Sequence, residues 1–283
     1  MILVVGATGT NGREVATRLA AAGQKIRALV QRPDKAANLL GPDVELVQGD
    51  LNDPASLEAA LKGVDKAFIV AAVDQRATIW YRNFFEAAKT VGTGHIVKFS
   101  AMGAGSGNAE LLRQHGDSDQ YLQASGLPYT ILRPNSFYQN LLWSAGTIKE
   151  QEAFYLPIGD AKQSLVDVRD IAAVAVAVLT GKGHEGRIYE ITGPESLSYY
   201  EVADKLSKVL GKPVKYVDVP PAAAKEGMLK TGMPEWNAIA VTELYGVFAT
   251  GLASPTTDTV GKITGKRPIS FEQFVRDFAG QFR

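Results

Sequence analysis

Through the first half of the chain, apolar runs of four to six residues alternate with segments in which apolar side chains recur every three or four positions. Patterning of this kind yields βαβ units and a parallel sheet. The runs predict strands at Ile2–Val5, Ile26–Val30, Val44–Val47, Ala67–Ala71, Ile96–Phe99 and Tyr129–Leu132. Between them, Val15, Leu19 and Ala22 share a helical face ending at Gly23, and Trp80, Phe84, Ala87, Ala88 and Val91 share another ending at Gly92. Glycine stops a helix there because it enters the left-handed conformation without a Cβ clash. Asp53-Pro54 reads as an N-cap and first helical residue. The fold class is α/β, a doubly wound parallel sheet of the Rossmann type.

After Arg133-Pro134 the alternation loosens. An aromatic helix is expected in NSFYQNLLWSAG, with short strands in FYLPIG, SLVDV, RIYEIT and KYVDV. Ser198 with Glu201, and Ser270 with Gln273, have capping-box spacing before helical apolar patterns. No linker, repeat or low-complexity stretch separates the halves. The reading is a dinucleotide-binding domain over residues 1–135 and a smaller α/β substrate-binding part over 136–283, with segments of the latter returning to the sheet. That part is expected to pack on the sheet edge and wall a cleft.

Composition narrows the function classes. With 30 Lys+Arg against 30 Asp+Glu the 283 residues carry no net charge, which argues against a nucleic-acid surface. There is no cysteine, and the three histidines His95, His115 and His184 are scattered, so no metal centre is expected. The longest apolar stretch, Ile171 to Leu179, is about half of what a bilayer requires. Met1 runs straight into a strand-like segment, and a cytoplasmic protein, monomer or homodimer, is the expectation.

The first strand ends in Gly6-Ala7-Thr8-Gly9-Thr10-Asn11-Gly12 and enters a helix directly. In such a turn Gly6 permits the sharp bend, Gly9 lets the backbone approach a pyrophosphate, and Gly12 brings helix and strand close, while the helix N-terminus offers free N–H groups. Taken alone, the spacing fits a tight strand-to-helix turn equally well. At the first junction of a βαβ series it points to a dinucleotide. Twenty residues past Gly12, where a carboxylate would select NAD, stand Gln31-Arg32-Pro33-Asp34-Lys35. Arg32 suits a 2′-phosphate, so NADP(H) is the expected cofactor. Alternatively Arg32 caps a solvated loop with Asp34 as its partner. Asp50 and Leu51 are expected beside the adenine, although Asp50 also reads as a helix-start aspartate.

GATGTNG, QGDL, SGLPYTILRPNSFYQN and GRIYEITGPESLSYYEVADKLSKVLGKPVKY together resemble the NmrA-like group of atypical short-chain dehydrogenase/reductases, over essentially the whole chain. The nearest resemblance is to NADPH-dependent quinone reductases and triphenylmethane-dye reductases. It implies that Gly6, Thr8, Gly9, Thr10, Asn11 and Gly12 hold the pyrophosphate and Arg32 the 2′-phosphate. It also implies Asp50 and Leu51 at the adenine and Ala71, Ala72 and Val73 on the ribose and nicotinamide side. Asn135, Ser136 and Phe137 would touch the nicotinamide end. Typical members of the wider superfamily use a Tyr-x-x-x-Lys pair and a serine after the fifth strand. Here Ser100 holds the serine position, while Leu111 and His115 stand where the pair belongs.

Hydride transfer to an already electrophilic acceptor asks little of an acid, so a quinone or similar planar aromatic substrate is the leading expectation. Two alternatives stay open: an NADP(H)-binding sensor without turnover, and a tailoring oxidoreductase or monooxygenase of secondary metabolism. His115 is the candidate acid or ribose ligand because imidazole titrates near neutrality. Its competing role is a hydrogen-bonded structural residue sharing a helix face with Asp119. Lys98 and Tyr138 are weaker candidates for the acid or ribose role, with a solvated strand end as the competing reading of the first and an ordinary core or cleft aromatic as that of the second. Phe137 and Tyr138 are expected on a planar substrate with Trp143 in the core, against the alternative that all three are core. Trp236 is a candidate lid residue, and the glycine-rich Met102–Gly107 is expected at the mouth of the site.

Overall fold

A computed structural model describes residues 1–283. Nine strands form: β1 (Ile2–Val5), β2 (Ile26–Val30), β3 (Val44–Gln48), β4 (Lys66–Ile69), β5 (His95–Phe99), β6 (Tyr129–Pro134), β7 (Ala153–Leu156), β8 (Arg187–Ile191) and β9 (Lys215–Asp218). The first six match the predicted apolar runs to within two residues at either end. They assemble with β8 in the order β3-β2-β1-β4-β5-β6-β8. Every registered pair from β3 to β6 is parallel, with β1 between β2 and β4. Strands buried on both faces must be apolar throughout, and β1 is buried along its whole length.

Two compact units divide the chain. The first comprises Met1–Gly105, Gln114–Pro134 and Ile171–Glu190; the second comprises Ser106–Arg113, Asn135–Asp170 and Ile191–Arg283. The chain therefore returns to the sheet unit after residue 135, and RIYEIT, expected in the second layer, is β8 of the large sheet. In the first unit, Leu3, Val5, Ile69 and Ile96 from the strands pack with Tyr81, Phe84 and Phe85 from the helix Ala77–Val91. That helix ends at Gly92, which takes φ +81°. Asp53 caps the helix Pro54–Leu61 by accepting from the Ala55 N–H at 3.1 Å.

In the second unit β7 and β9 form a parallel two-stranded sheet. SLVDV does not form a strand and makes a single isolated bridge, Val166 with Phe137, while Gln163 just before it bridges to Leu197. The core gathers Tyr138, Phe154, Phe271, Phe274 and Phe282, each buried aromatic contributing about 1.5–3 kcal/mol. Ser198 and Glu201 close a full capping box, with bonds of 3.2 and 2.7 Å. Ser270 makes only half of one, because the Gln273 amide turns to Asp277 and Arg276 instead. No helix is long and apolar enough to cross a membrane.

Candidate functional site

In the first unit the glycine turn is sterically exacting. Gly6 takes φ +81°, and a Cβ there would lie 2.2 Å from the Val70 carbonyl oxygen; one at Gly12 would lie 2.2 Å from the carbonyl oxygen of Gly6. The helix Thr10–Ala21 starts from Gly9 with no side-chain cap and no acidic residue in its first turn. Its leading N–H groups and positive dipole end therefore face outward for an anion. Alongside lies a cavity of about 450 Å³ whose lining includes Gly6, Thr8, Arg32, Asp50, Leu51 and Ala71, with Ala72 beside them. Gly9 and Thr10 are exposed at the helix start, Gly12 is buried beneath the turn, and Val73 is exposed; none of these lines the cavity. Asn11 also stands off the cavity, with a buried Oδ1 that has no partner.

Arg32 is exposed and makes no ion pair with Asp34 or any other carboxylate. Lys35, three residues on, lines the same cavity and is likewise unpaired. Two free cations at the end of β2 fit a phosphate ester. Asp50 is held below the usual carboxylate range, first by the Asn52 N–H at 2.8 Å and then by the Asn52 and Gln31 side chains. It is not the helix cap, a role that Asp53 fills. The residues present fit a dinucleotide with a 2′-phosphate: a backbone cradle that any Cβ would fill, an uncapped helix end and two uncommitted cations.

The second unit holds a larger cavity of about 840 Å³, with Ser136, Phe137, Tyr138, Trp143, Tyr199 and Tyr245 among its lining. Asn135 is buried and spends its amide internally, on Ser164 Oγ and the Ala253 carbonyl, both at 2.7 Å, while accepting from the Ser136 N–H. Tyr138 begins a 3₁₀ run, Tyr138–Ser144. Three residues per turn put Tyr138 and Leu141 on one buried side and turn Trp143 off it. Hence the expectation for Trp143 is reversed: it is 73% exposed on the cavity wall. Tyr138 instead packs in the core, 5.2 Å from Phe271 and 5.4 Å from Phe274, with its hydroxyl sealed off. Phe137 is half-buried and open to the cavity. Trp236 is the second residue of the helix Glu235–Phe248 and lies outside the cavity lining.

At the end of β5 the first unit carries a buried polar cluster. Asp119 accepts from Lys98 Nζ at 2.7 Å, Ser100 Oγ at 2.9 Å and the Arg133 guanidinium at 2.9 Å. Lys98 is 0% exposed, so the expected solvated strand end is an internal ion pair. Burial pushes its ammonium down to about 8, with Asp119 opposing. Ser100 has its proton committed to Asp119. His115 lies on the helix Glu110–Ala124, one turn before Asp119, but its ring makes no hydrogen bond; its Nδ1 is buried and the ring lies against Tyr81. Burial, then the charges of Lys98 and Arg133, hold its pKa well below 6.5. It is neutral near pH 7, which removes the basis for expecting an acid there, and the expected structural hydrogen bond is absent too.

The NmrA-like family pattern matches residues 1–266. The chain belongs to the NmrA-like family. It is 42% identical to an NAD(P)H azoreductase of Xenophilus azovorans across all of this chain and 99% of that one. Among solved structures, the NADPH-dependent quinone oxidoreductase of Escherichia coli complexed with NADPH superposes with a TM-score of 0.90 at 28% identity, over 99% of this chain and 100% of that one. The Citrobacter sp. triphenylmethane reductase complexed with NADP(H) gives 0.89 at 27%, over 98% and 99%.

Within this NmrA-like chain, Lys35 was not singled out by sequence reasoning. Its signal was present, since positions 32 and 35 lie three apart at a helix start and so share a side. Tyr199 and Tyr245 were missed for a different reason: Tyr199 opens an ordinary amphipathic helix, Tyr199–Leu210, and Tyr245 stands in the largely apolar helix Glu235–Phe248, so neither position differs from its neighbours in pattern.

Proposed function

We propose that the protein is an NADPH-dependent reductase of planar aromatic acceptors. The carrying observation is the pair of unpaired cations, Arg32 and Lys35, lining the cavity that begins at the Gly6 turn. A carboxylate at that point would repel a 2′-phosphate; two free cations attract it. NADPH, when bound, supplies a hydride. The chain's own contribution is to hold the pyrophosphate on the backbone of Gly6 to Gly12 and the phosphate ester on Arg32 and Lys35.

Acceptor choice follows from the second unit. Its cavity of about 840 Å³ is the size of a small-molecule site, is lined mostly by apolar and aromatic side chains, and contains no Lys, Arg, His, Asp or Glu. Flat rings stack on such walls. No Tyr-x-x-x-Lys pair is present, His115 is neutral and Ser100 is engaged, so acceptors that are electrophilic before protonation suit this chain best. Quinones, azo compounds and triphenylmethane dyes, the acceptors named for its relatives, all meet that condition.

The test is NADPH oxidation at 340 nm against a panel of quinones, azo dyes, triphenylmethane dyes and simple ketones, with a separate titration of NADPH and NADH. Turnover of planar acceptors without ketone reduction, and tighter NADPH than NADH, is the expected result. NADPH binding with no turnover on any acceptor would identify a sensor instead.

A further inference from the structure

The second-unit cavity contains four tyrosines in its wall, and they differ in what their hydroxyls are doing. Tyr138 has its hydroxyl buried beyond reach. Tyr155 donates to Gln151 Oε1 at 2.9 Å. Thr147 and Thr231, also in the wall, donate to the carbonyls of Ser144 and Met228. Tyr199 and Tyr245 are different: both line the cavity, neither hydroxyl has a hydrogen-bond partner, and neither is sealed off as Tyr138's is. They are neighbours, since the Tyr245 phenol acts electrostatically on that of Tyr199.

Building on the reductase reading, we propose that this cavity takes an uncharged quinone, whose carbonyl oxygen accepts hydrogen bonds from the Tyr245 and Tyr199 hydroxyls. The other uncommitted polar side chains of the wall are Ser136, Asn140 and Ser144. Alcohols and amides are weaker donors than a phenol, so they stabilise a developing oxyanion less. In the reaction, a hydride brings two electrons and one hydrogen to the quinone while NADPH becomes NADP⁺. The electron pair displaced from the carbonyl settles on oxygen, and one proton from water completes the hydroquinone. Tyr245 donates a hydrogen bond throughout and keeps its own proton, because burial pushes its pKa up to about 12.

Charge points the same way. The wall has no cation to pair with an anionic substituent. Glu195, Asp167, Asp170 and Glu272 all act on the Tyr138 phenol in that wall; Asp167 pairs with Arg169, and Glu195 and Glu272 share Lys205. A sulfonate would enter without a partner and against this field.

The experiment compares 1,4-naphthoquinone, its 2-sulfonate and an oxygen-free cationic triphenylmethane dye on wild type, Tyr245→Phe and Tyr199→Phe. Wild type should favour the neutral quinone over the sulfonate by at least about tenfold in kcat/KM. Tyr245→Phe should lower the ratio of quinone to dye kcat/KM by roughly ten- to a hundredfold, chiefly through kcat, with melting temperature and NADPH affinity preserved. Tyr199→Phe should shift the ratio the same way. In cofactor-free protein, Tyr245→Phe should weaken naphthoquinone binding, read by tryptophan fluorescence, by about threefold or more. Unchanged ratios and unchanged binding in both variants would overturn the proposal. If wild type binds naphthoquinone through these hydroxyls yet oxidises no NADPH with any acceptor, the reductase reading fails and the binding assignment stands.

Discussion

Arg32 and Lys35 carry the strongest functional signal of any single residues, because each is a cation with no carboxylate to satisfy it. Replacing Arg32 by Asp removes one charge-assisted contact and adds a repulsion. NADPH affinity should fall by about 2–3 kcal/mol, roughly 30- to 150-fold, while NADH affinity changes little. Fluorescence titration with both cofactors checks this, and equal losses would remove the argument. His115 illustrates the opposite case, a titratable residue whose surroundings suppress titration. Its unfolded pKa is the ordinary 6.5 and its folded one is lower, so the unfolded chain takes up a proton first as the pH falls. The stability it contributes is present above about 6.5 and lost below. His115→Leu should therefore flatten the fall of melting temperature between pH 7 and 5, and an unaltered slope would show that the ring is not desolvated.

At the scale of elements, two short segments decide how the cavities are built. The first turn of the helix Thr10–Ala21 depends on Gly12, where a Cβ would meet backbone 2.2 Å away. Gly12→Ala must push helix from strand, so we expect lower thermal stability together with NADPH affinity reduced by at least tenfold, measured by melting and titration; wild-type values in both would refute the packing argument. The 3₁₀ run Tyr138–Ser144 sorts its aromatics by a three-residue repeat. Tyr138→Ala opens a core cavity and should cost about 3–5 kcal/mol in denaturant unfolding. Trp143→Ala removes a mostly exposed ring and should cost under about 1 kcal/mol, with its effect seen instead in the KM of planar acceptors. Comparable losses of stability in the two variants would contradict the assigned faces.

For the molecule as a whole, the buried bases set the pH dependence of stability in two windows. His95 and His115 are both held below their ordinary values by burial. The hydroxyl proton of Thr130 goes to the His184 carbonyl at 2.6 Å, so His95 must donate through Nε2 and leave its buried Nδ1 bare. Together they make the fold lose stability as the pH drops below about 6.5, at up to about 1.4 kcal/mol per pH unit for each histidine. Lys98 acts in the alkaline window. Its folded pKa of about 8 lies below the ordinary lysine value of 10.5, so between these values the unfolded chain binds the extra proton and stability from this group rises with pH. Lys98→Met should remove that rise in melting curves recorded from pH 8 to 10. It should also leave Asp119 with Ser100 and Arg133 alone. A wild-type alkaline profile in the variant would show that Lys98 is not the group responsible.

Sequence alone determined the six strands β1 to β6, the glycine turn at Gly6 to Gly12 and the cationic position at Arg32. Each is written in local terms: an apolar run, a spacing of small residues, a charge at a strand end. What it left undecided depends on partners far along the chain. Lys98 reads as a solvated strand end until the helix bearing Asp119 closes over it. RIYEIT joins the large sheet as β8 because a strand's period fixes its faces and not its neighbours. Trp143 and Tyr138 exchange their expected places because a 3₁₀ turn rotates side chains differently from an α-turn. Tyr199 and Tyr245 come together only when two separate helices line one cavity. Periodicity specifies which side of an element is apolar; only packing specifies what that side meets, and the free phenols and buried ion pair arise from those meetings.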